Sequence, residues 1–195
     1  LKNFQHAPSV REIVVVTRED LLVEVGRICK DFAFDKVTKV IVGGQERIHS
    51  VRAGLGEVDR SSNLIAIHDG ARPLVPQEVI RDTVARAALT GAAAPAVPIT
   101  DTVKRAENGQ AVETVDRSAL WAVQTPQVFE AGLIRAAVGK ALEEGELLTD
   151  DCGAVERLGM RVTLTGGSKE NIKITTPLDL VLGEAILRAR GEGLL

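Results

Sequence analysis

Short unbroken apolar runs alternate with stretches in which apolar residues recur every three or four positions, and this alternation predicts an α/β fold. Glu12–Thr17 is continuous in Ile and Val, as expected of a strand buried on both faces. Leu21, Leu22, Val25, Ile28, Cys29 and Phe32 then follow at helical spacing. Val37–Val42 predicts a second strand, with Ile48, Val51 and Leu55 marking the next helix. Leu64–His68 predicts a third, followed by a helix through Val79, Ile80, Thr83, Val84 and Ala87. Ala92–Val97 and Arg161–Thr165 are further strands. The closing helix runs through Leu178, Val181, Leu182, Ala185, Ile186 and Ala189, with Thr176 as N-cap, Pro177 at the first turn and Asp179 three residues on. Residues from Leu1 to the first strand read as a loop, and Asn171–Thr175 alternates as an edge strand with Ile172 and Ile174 on one face and Asn171, Lys173 and Thr175 on the other.

One stretch departs from this rhythm. Thr102–Ala106 and Ala111–Val115 flank Glu107-Asn-Gly-Gln110, and Asn-Gly is the strongest short hairpin signal. So polar a hairpin cannot bury itself. Residues 100–117 are therefore expected to form an arm that projects from the sheet and packs on a second subunit, the alternative being a hairpin folded back on its own domain. The chain of 195 residues shows no composition break, so 1–195 reads as one domain.

Composition narrows the function classes. A formal charge of −3 argues against a broad nucleic-acid-binding face, leaving anion recognition to local clusters. No apolar run approaches a membrane span and no secretory leader is visible. Cys29 and Cys152 lie on apolar helical faces outside any metal-ligand spacing, which suits core positions in a reducing cytoplasm.

Local clusters supply the chemistry. Thr114–Gln127 gathers Arg117, hydroxyl donors, amides and Trp121 beside a Pro-defined turn. Gly43-Gly44 lies between a strand and a helix, where glycine lets a ligand approach the backbone and its N–H groups, unless it is a plain turn. Arg47 and Ser50 in the first helical turns are placed to face the same ligand. Asp69 ends the third strand beside Arg72; the two form an ion pair fixing the loop, or Asp69 holds Mg²⁺ or a substrate hydroxyl while Arg72 positions an oxygen. Thr149-Asp150-Asp151 reads as an N-cap and acidic first turn before a helix Cys152–Leu158. No Ser-His-Asp arrangement, nucleophile elbow or His cluster is present, so phosphoryl or nucleotidyl transfer fits better than chemistry on a protein nucleophile.

Taken in order, VGGQERIHSVRAGL (42–55), IHDGARP (67–73), PITDTVKR (98–105), TVDRSALWAVQTPQVF (114–129), LTDD (148–151) and ENIKITTPLDL (170–180) resemble the 2-C-methyl-D-erythritol 4-phosphate cytidylyltransferases over nearly the whole chain. The resemblance implies a Rossmann-like nucleotidyltransferase fold with a mostly parallel central sheet, a homodimer exchanging hairpin arms, and Mg²⁺-dependent reaction of CTP with a phosphorylated polyol. It implies that Gly43, Gly44, Gln45, Arg47 and Ser50 hold the nucleotide, although the family commonly has Asp where Gln45 stands. Asp69 would hold a polyol hydroxyl or lie near the metal, with Arg72, Thr125 and Thr149 completing the sugar pocket. Thr102 and Arg117 would grip the acceptor phosphate across the dimer, and Lys173 would neutralise charge at the α-phosphate. The family also opens with a strand and a Gly-rich loop carrying Arg and Lys around the triphosphate; residues 1–195 hold no such loop, and a segment ahead of Leu1 is expected to supply it. Two other readings remain: cytidylyl transfer to ribitol 5-phosphate, against which Lys104 and the Val115-Asp-Arg117 context argue, and a nucleotide-binding protein without catalysis.

Overall fold

The computed structural model describes residues 1–145 and 148–192. A short helix α1 (Lys2–His6) precedes β1 (Ile13–Thr17), α2 (Leu22–Asp31), β2 (Val37–Val42), α3 (Arg47–Glu57), β3 (Leu64–Ile67) and α4 (Gln77–Thr90). There follow β4 (Ala92–Pro98), the hairpin β5 (Val103–Glu107) and β6 (Gln110–Val115), β7 (Trp121–Val123), β8 (Gln127–Glu130), α5 (Ala131–Glu143), α6 (Asp151–Arg157), β9 (Thr163–Gly166) and α7 (Pro177–Ala189).

Parallel pairing joins β1 to β2. In a second sheet β3, β4 and β9 point one way, with β8 inserted antiparallel between β3 and β4, and β7 antiparallel to β4. The mostly parallel α/β architecture thus carries two antiparallel members, both from the Trp121–Glu130 stretch that apolar periodicity left unassigned.

The alanine-rich β4 is central because small side chains let layers close on both faces. Alternate residues of a strand face opposite ways, and Ala92 and Ala94 join a core with Leu55, Ile65, Phe129, Ile134 and Val155, whereas Ala93 meets Ala87 of α4 and Val128. The helix α4 ends at Gly91, whose φ of 79° is left-handed and whose N–H closes on the Ala87 carbonyl. At α7 the capping box is present: the Thr176 hydroxyl accepts from the Asp179 N–H, and the Asp179 carboxylate accepts from the Thr176 N–H.

Two local expectations need correction. The residues after Leu1 form a helical turn, because Phe4 packs with Ala7, Val10, Val75 and Ile80 on α4. Asn171–Thr175 makes no strand, and Asn171 is fully buried while Lys173 is exposed, so the two do not share a face. Hydrogen bonding decides this: the Asn171 amide donates to the Thr125 carbonyl and to Gln124 Oε1, and the Ile174 N–H donates to the Ala71 carbonyl, so the segment crosses loops instead of pairing along an edge.

The hairpin forms its own two-stranded sheet, nearly all of it exposed. Asn108 (φ 50°) and Gly109 (φ 79°) are both left-handed at its tip, the requirement of a type I′ turn. No ladder joins β1 to β3. Both line a cavity of about 680 Å³, together with Val51 and Val58.

Candidate functional site

Beyond β3, the chain turns through His68, Asp69 and Arg72, and a run of oriented groups locks this turn. The Arg72 N–H donates to the Asp69 carbonyl at 2.9 Å. His68 Nε2 donates to the Arg72 carbonyl at 2.9 Å, which leaves Nδ1 to accept from the Thr125 hydroxyl at 3.0 Å. That hydroxyl oxygen in turn accepts from the Asp69 N–H at 3.1 Å. Burial, opposed by the Arg72 carbonyl, lowers the His68 pKa to about 4, so the ring is neutral near pH 7 and keeps this tautomer. Phe4 lies against the ring, with centroids 4.6 Å apart.

The Asp69 carboxylate is the hub. Lys173 Nζ stands 3.0 Å from it, Arg72 Nε 3.7 Å and Arg47 4.0 Å. Burial alone would raise the Asp69 carboxyl, but Lys173, Arg47 and Arg72 together hold it below the usual range. Asn171, bonded to Gln124 and Thr125, anchors the segment that carries Lys173, and Arg72 also donates to the Asn171 carbonyl at 2.6 Å. Arg72 Nε is buried without a hydrogen-bond partner and faces the same carboxylate.

A second carboxylate, Asp151 in the first turn of α6, receives both terminal nitrogens of Arg47, at 2.8 and 2.6 Å. Its side chain is 4% exposed, against 36% for Arg47. Burial pushes its carboxyl above the usual range, with the Arg47 fork opposing. Gln127 on β8 fixes this turn: its Oε1 accepts from the N–H groups of Asp151 and Cys152, and its Nε2 donates to Asp150. Reading Asp150-Asp151 as helix capping captured half of this. Asp150 is the N-cap, accepting from the Gly153 N–H, but Asp151 is a buried ion-pair partner. No local spacing signals a pair separated by so many residues. Replacing Gln127 by Leu is expected to leave the Asp151 and Cys152 N–H groups unsatisfied and cost about 2–4 kcal/mol, seen as a lower urea midpoint at unchanged slope.

The glycine turn works differently from the expectation that it offers free N–H groups. The Gly43 N–H donates to the Thr17 carbonyl and the Gly44 N–H to Ser50 Oγ, so both are engaged. What glycine supplies is room: a Cβ on Gly43 would sit 2.6 Å from Ser50 Oγ, and one on Gly44 2.3 Å from His49 Cβ. Gln45 is exposed, and the N-terminus of α3, where Arg47 stands, has no side-chain cap.

The structure therefore brings Arg47, Asp69, Arg72 and Lys173 together, with Thr125 bonded to the Asp69 N–H and Ser50 on α3, the helix that Arg47 opens. Thr149 is exposed ahead of α6. Thr102 and Arg117 are exposed at the base of the hairpin, where the Arg117 guanidinium donates to the Thr100 carbonyl. Neither makes a hydrogen bond or ion pair with the Asp69 cluster among the described residues.

A largely buried carboxylate ringed by cations, beside a helix N-terminus without a side-chain cap, is suited to a polyphosphate together with a hydroxyl-bearing group. The family model described as 2-C-methyl-D-erythritol 4-phosphate cytidylyltransferase matches residues 1–189. The protein of that description from Caldanaerobacter subterraneus subsp. tengcongensis is 47% identical over 190 residues, covering 96% of this chain and 84% of the relative. Its counterpart from Bacillus velezensis is 44% identical over 185 residues, covering 94% and 79%. Among solved structures, a 4-diphosphocytidyl-2C-methyl-D-erythritol synthase from Anaerococcus prevotii superposes with a TM-score of 0.88 at 29% identity, covering 96% of this chain and 83% of that one.

Proposed function

Because the chain belongs to the 2-C-methyl-D-erythritol 4-phosphate cytidylyltransferase family, we infer that it joins CTP to that phosphorylated polyol with release of pyrophosphate, and that the two anions meet at the cation ring around Asp69. The observation that carries the placement is the convergence of Lys173, Arg72 and Arg47 on one carboxylate. Lys173, Arg72 and Arg47 pair with the carboxylates of Asp69 and Asp151, and Asp150 beside them is engaged in capping α6 and with Gln127.

In the reaction, an acceptor phosphate oxygen attacks the α-phosphorus of CTP, the bond to the β-phosphate breaks and its electron pair leaves with pyrophosphate. A phosphate monoester has its second pKa near about 6, so at neutral pH it is already mostly the dianion. No base is needed, in keeping with a neutral, doubly hydrogen-bonded His68. The obstacle is repulsion between anions, which preorganised positive charge offsets most strongly in the transition state. Lys173 suits the α-phosphate as a mobile point charge, and Arg47 and Arg72 suit paired oxygens. Ser50, Gly43, Gly44 and Gln45 adjoin Arg47 on the nucleotide side. Thr125 and Thr149 flank the polyol side, Thr125 by holding Asp69 in place.

Mg²⁺ fits a single, partly open carboxylate such as Asp69, because it keeps several waters and completes its shell with substrate phosphates. Among the described residues no group of three or more His, Cys, Asp and Glu would cage it alone. When bound it adds positive charge at the phosphate oxygens.

Thr102 and Arg117 stand apart from the cluster, which supports a homodimer in which the arm of one copy reaches the other's site. No helix among the described residues is long and apolar enough to cross a membrane. The two unpaired, buried cysteines support a cytoplasmic setting.

Pyrophosphate release from CTP, Mg²⁺ and the methylerythritol phosphate tests the reading; no release, or preferential use of ribitol 5-phosphate in a competition, counts against it. Arg117→Ala is expected to raise the acceptor KM at least tenfold while leaving CTP affinity within about threefold. Equal losses of both would remove Arg117 from the acceptor side. Sedimentation at micromolar concentration should show a dimer.

A further inference from the structure

We propose that Asp151 is a positioning residue for nucleotide binding: it holds the Arg47 guanidinium on the α6 side of the cleft, clear of Asp69. The inference rests on the cytidylyltransferase reading and extends it to a residue whose own carboxylate faces inward.

The geometry is specific. Both Asp151 oxygens are taken by the two terminal nitrogens of Arg47, using two of its five N–H donors and leaving three for a ligand. Asp69 is the only other carboxylate within ion-pair range of Arg47 among the described residues, at 4.0 Å. Without Asp151 the side chain keeps Asp69 as its one carboxylate within ion-pair range, Asp150 acting on it only from farther away. It would swing onto Asp69, crowd Lys173 and withdraw its donors from the cleft. Asp151 cannot itself meet substrate, since it is 3% exposed and its N–H is fixed to Gln127 on the central sheet. Arg47 stands on α3 and Asp151 on α6, so the pair also fixes these two elements against each other across the mouth of the site. The neighbouring Asp150 is occupied with capping and with Gln127, and offers Arg47 no substitute.

Asp151→Asn keeps the shape and the backbone bond to Gln127 but removes the charge; Asp151→Glu keeps the charge. CTP dissociation constants from titration calorimetry, and KM for the acceptor, are measured on each together with the melting temperature. The Asn variant should bind CTP about 10- to 100-fold more weakly, the loss usual when the outer partner of a functional ligand is removed from metal sites. Its acceptor KM should stay within about threefold, and the Glu variant should recover most of the CTP affinity. A residue that only stabilised the fold would lower the melting temperature and the active fraction while leaving the CTP dissociation constant of the folded protein unchanged, and that result overturns the proposal. If Asn fails to fold, Asp151→Ser, smaller and neutral, is measured in its place: weaker CTP binding by the folded protein supports the proposal, and affinity equal to the parent's overturns it. A parent protein that binds no CTP sinks the nucleotide reading and the inference with it, whereas normal binding by parent and Asn variant alike sinks the inference alone.

Discussion

Replacing Lys173 by Ala is expected to lower the rate of cytidylyl transfer by about 10²–10³-fold, on the order of 2.7–4 kcal/mol of transition-state stabilisation. Its ammonium is the closest cation to Asp69, at 3.0 Å, and is half exposed toward the cleft. The substitution removes no buried group, and Arg72 and Arg47 still face the carboxylate, so the folded state should lose little. Single-turnover pyrophosphate release separates this from a binding defect: the chemical step should slow while CTP affinity changes less than tenfold. Unchanged turnover in Lys173→Ala would place the reacting phosphorus elsewhere. Arg in place of Lys should recover only part of the rate, because a planar fork cannot reproduce a compact charge at the same point.

The second large effect is on stability. Arg47→Ala leaves the Asp151 carboxylate buried without its counter-charge, and breaking such a pair from one side costs about 3–5 kcal/mol. The lower end applies here, because Arg47 is 36% exposed and water can enter the space it leaves. The sign with pH follows from the direction of the Asp151 shift. Burial raises its folded-state pKa above the ordinary 3.8, so ionising it in the native state costs stability; losing Arg47 raises it further. The deficit of Arg47→Ala against its parent should therefore be greatest near neutral pH and shrink as the pH falls into the range where Asp151 takes up its proton in the variant. Asp69 titrates in the opposite sense, its lowered pKa giving stability that disappears only under more acid conditions. Denaturant titrations across that range would show it, and a pH-independent deficit would mean that Asp151 is not the group left uncompensated. Adding Asp151→Leu to Arg47→Ala should restore most of the stability, since an apolar replacement of a buried pair is often neutral or better. It should not restore CTP binding.

Much of the layout was legible from spacing. Unbroken apolar runs and three-to-four-residue periodicity located most strands and helices, Asn108-Gly109 located the hairpin, and Thr176-Pro177 with Asp179 located the start of α7. Each of these signals is local. The antiparallel strands β7 and β8 escaped because β7 is only three exposed residues long and because Gln124, Thr125 and Gln127, between the two and at the start of β8, are polar yet buried. They are satisfied by partners distant in sequence, and apolar pattern cannot report that. The same cause hid Asn171, whose amide ties Lys173 to the site from beneath.

The amino-acid order alone therefore determined the fold class, the hairpin and the family, and it singled out Asp69, Arg72 and Lys173 as candidates without showing that they meet. Tertiary structure decided which charges meet. It placed Asp69 among three cations, gave Arg47 to Asp151, engaged the Gly43 and Gly44 N–H groups within the protein, and left Thr102 and Arg117 outside the cluster. The division has a physical origin. Backbone propensity and amphipathic period act over a few residues, whereas the desolvation that pairs a buried carboxylate with a guanidinium is set only after distant segments have closed over them.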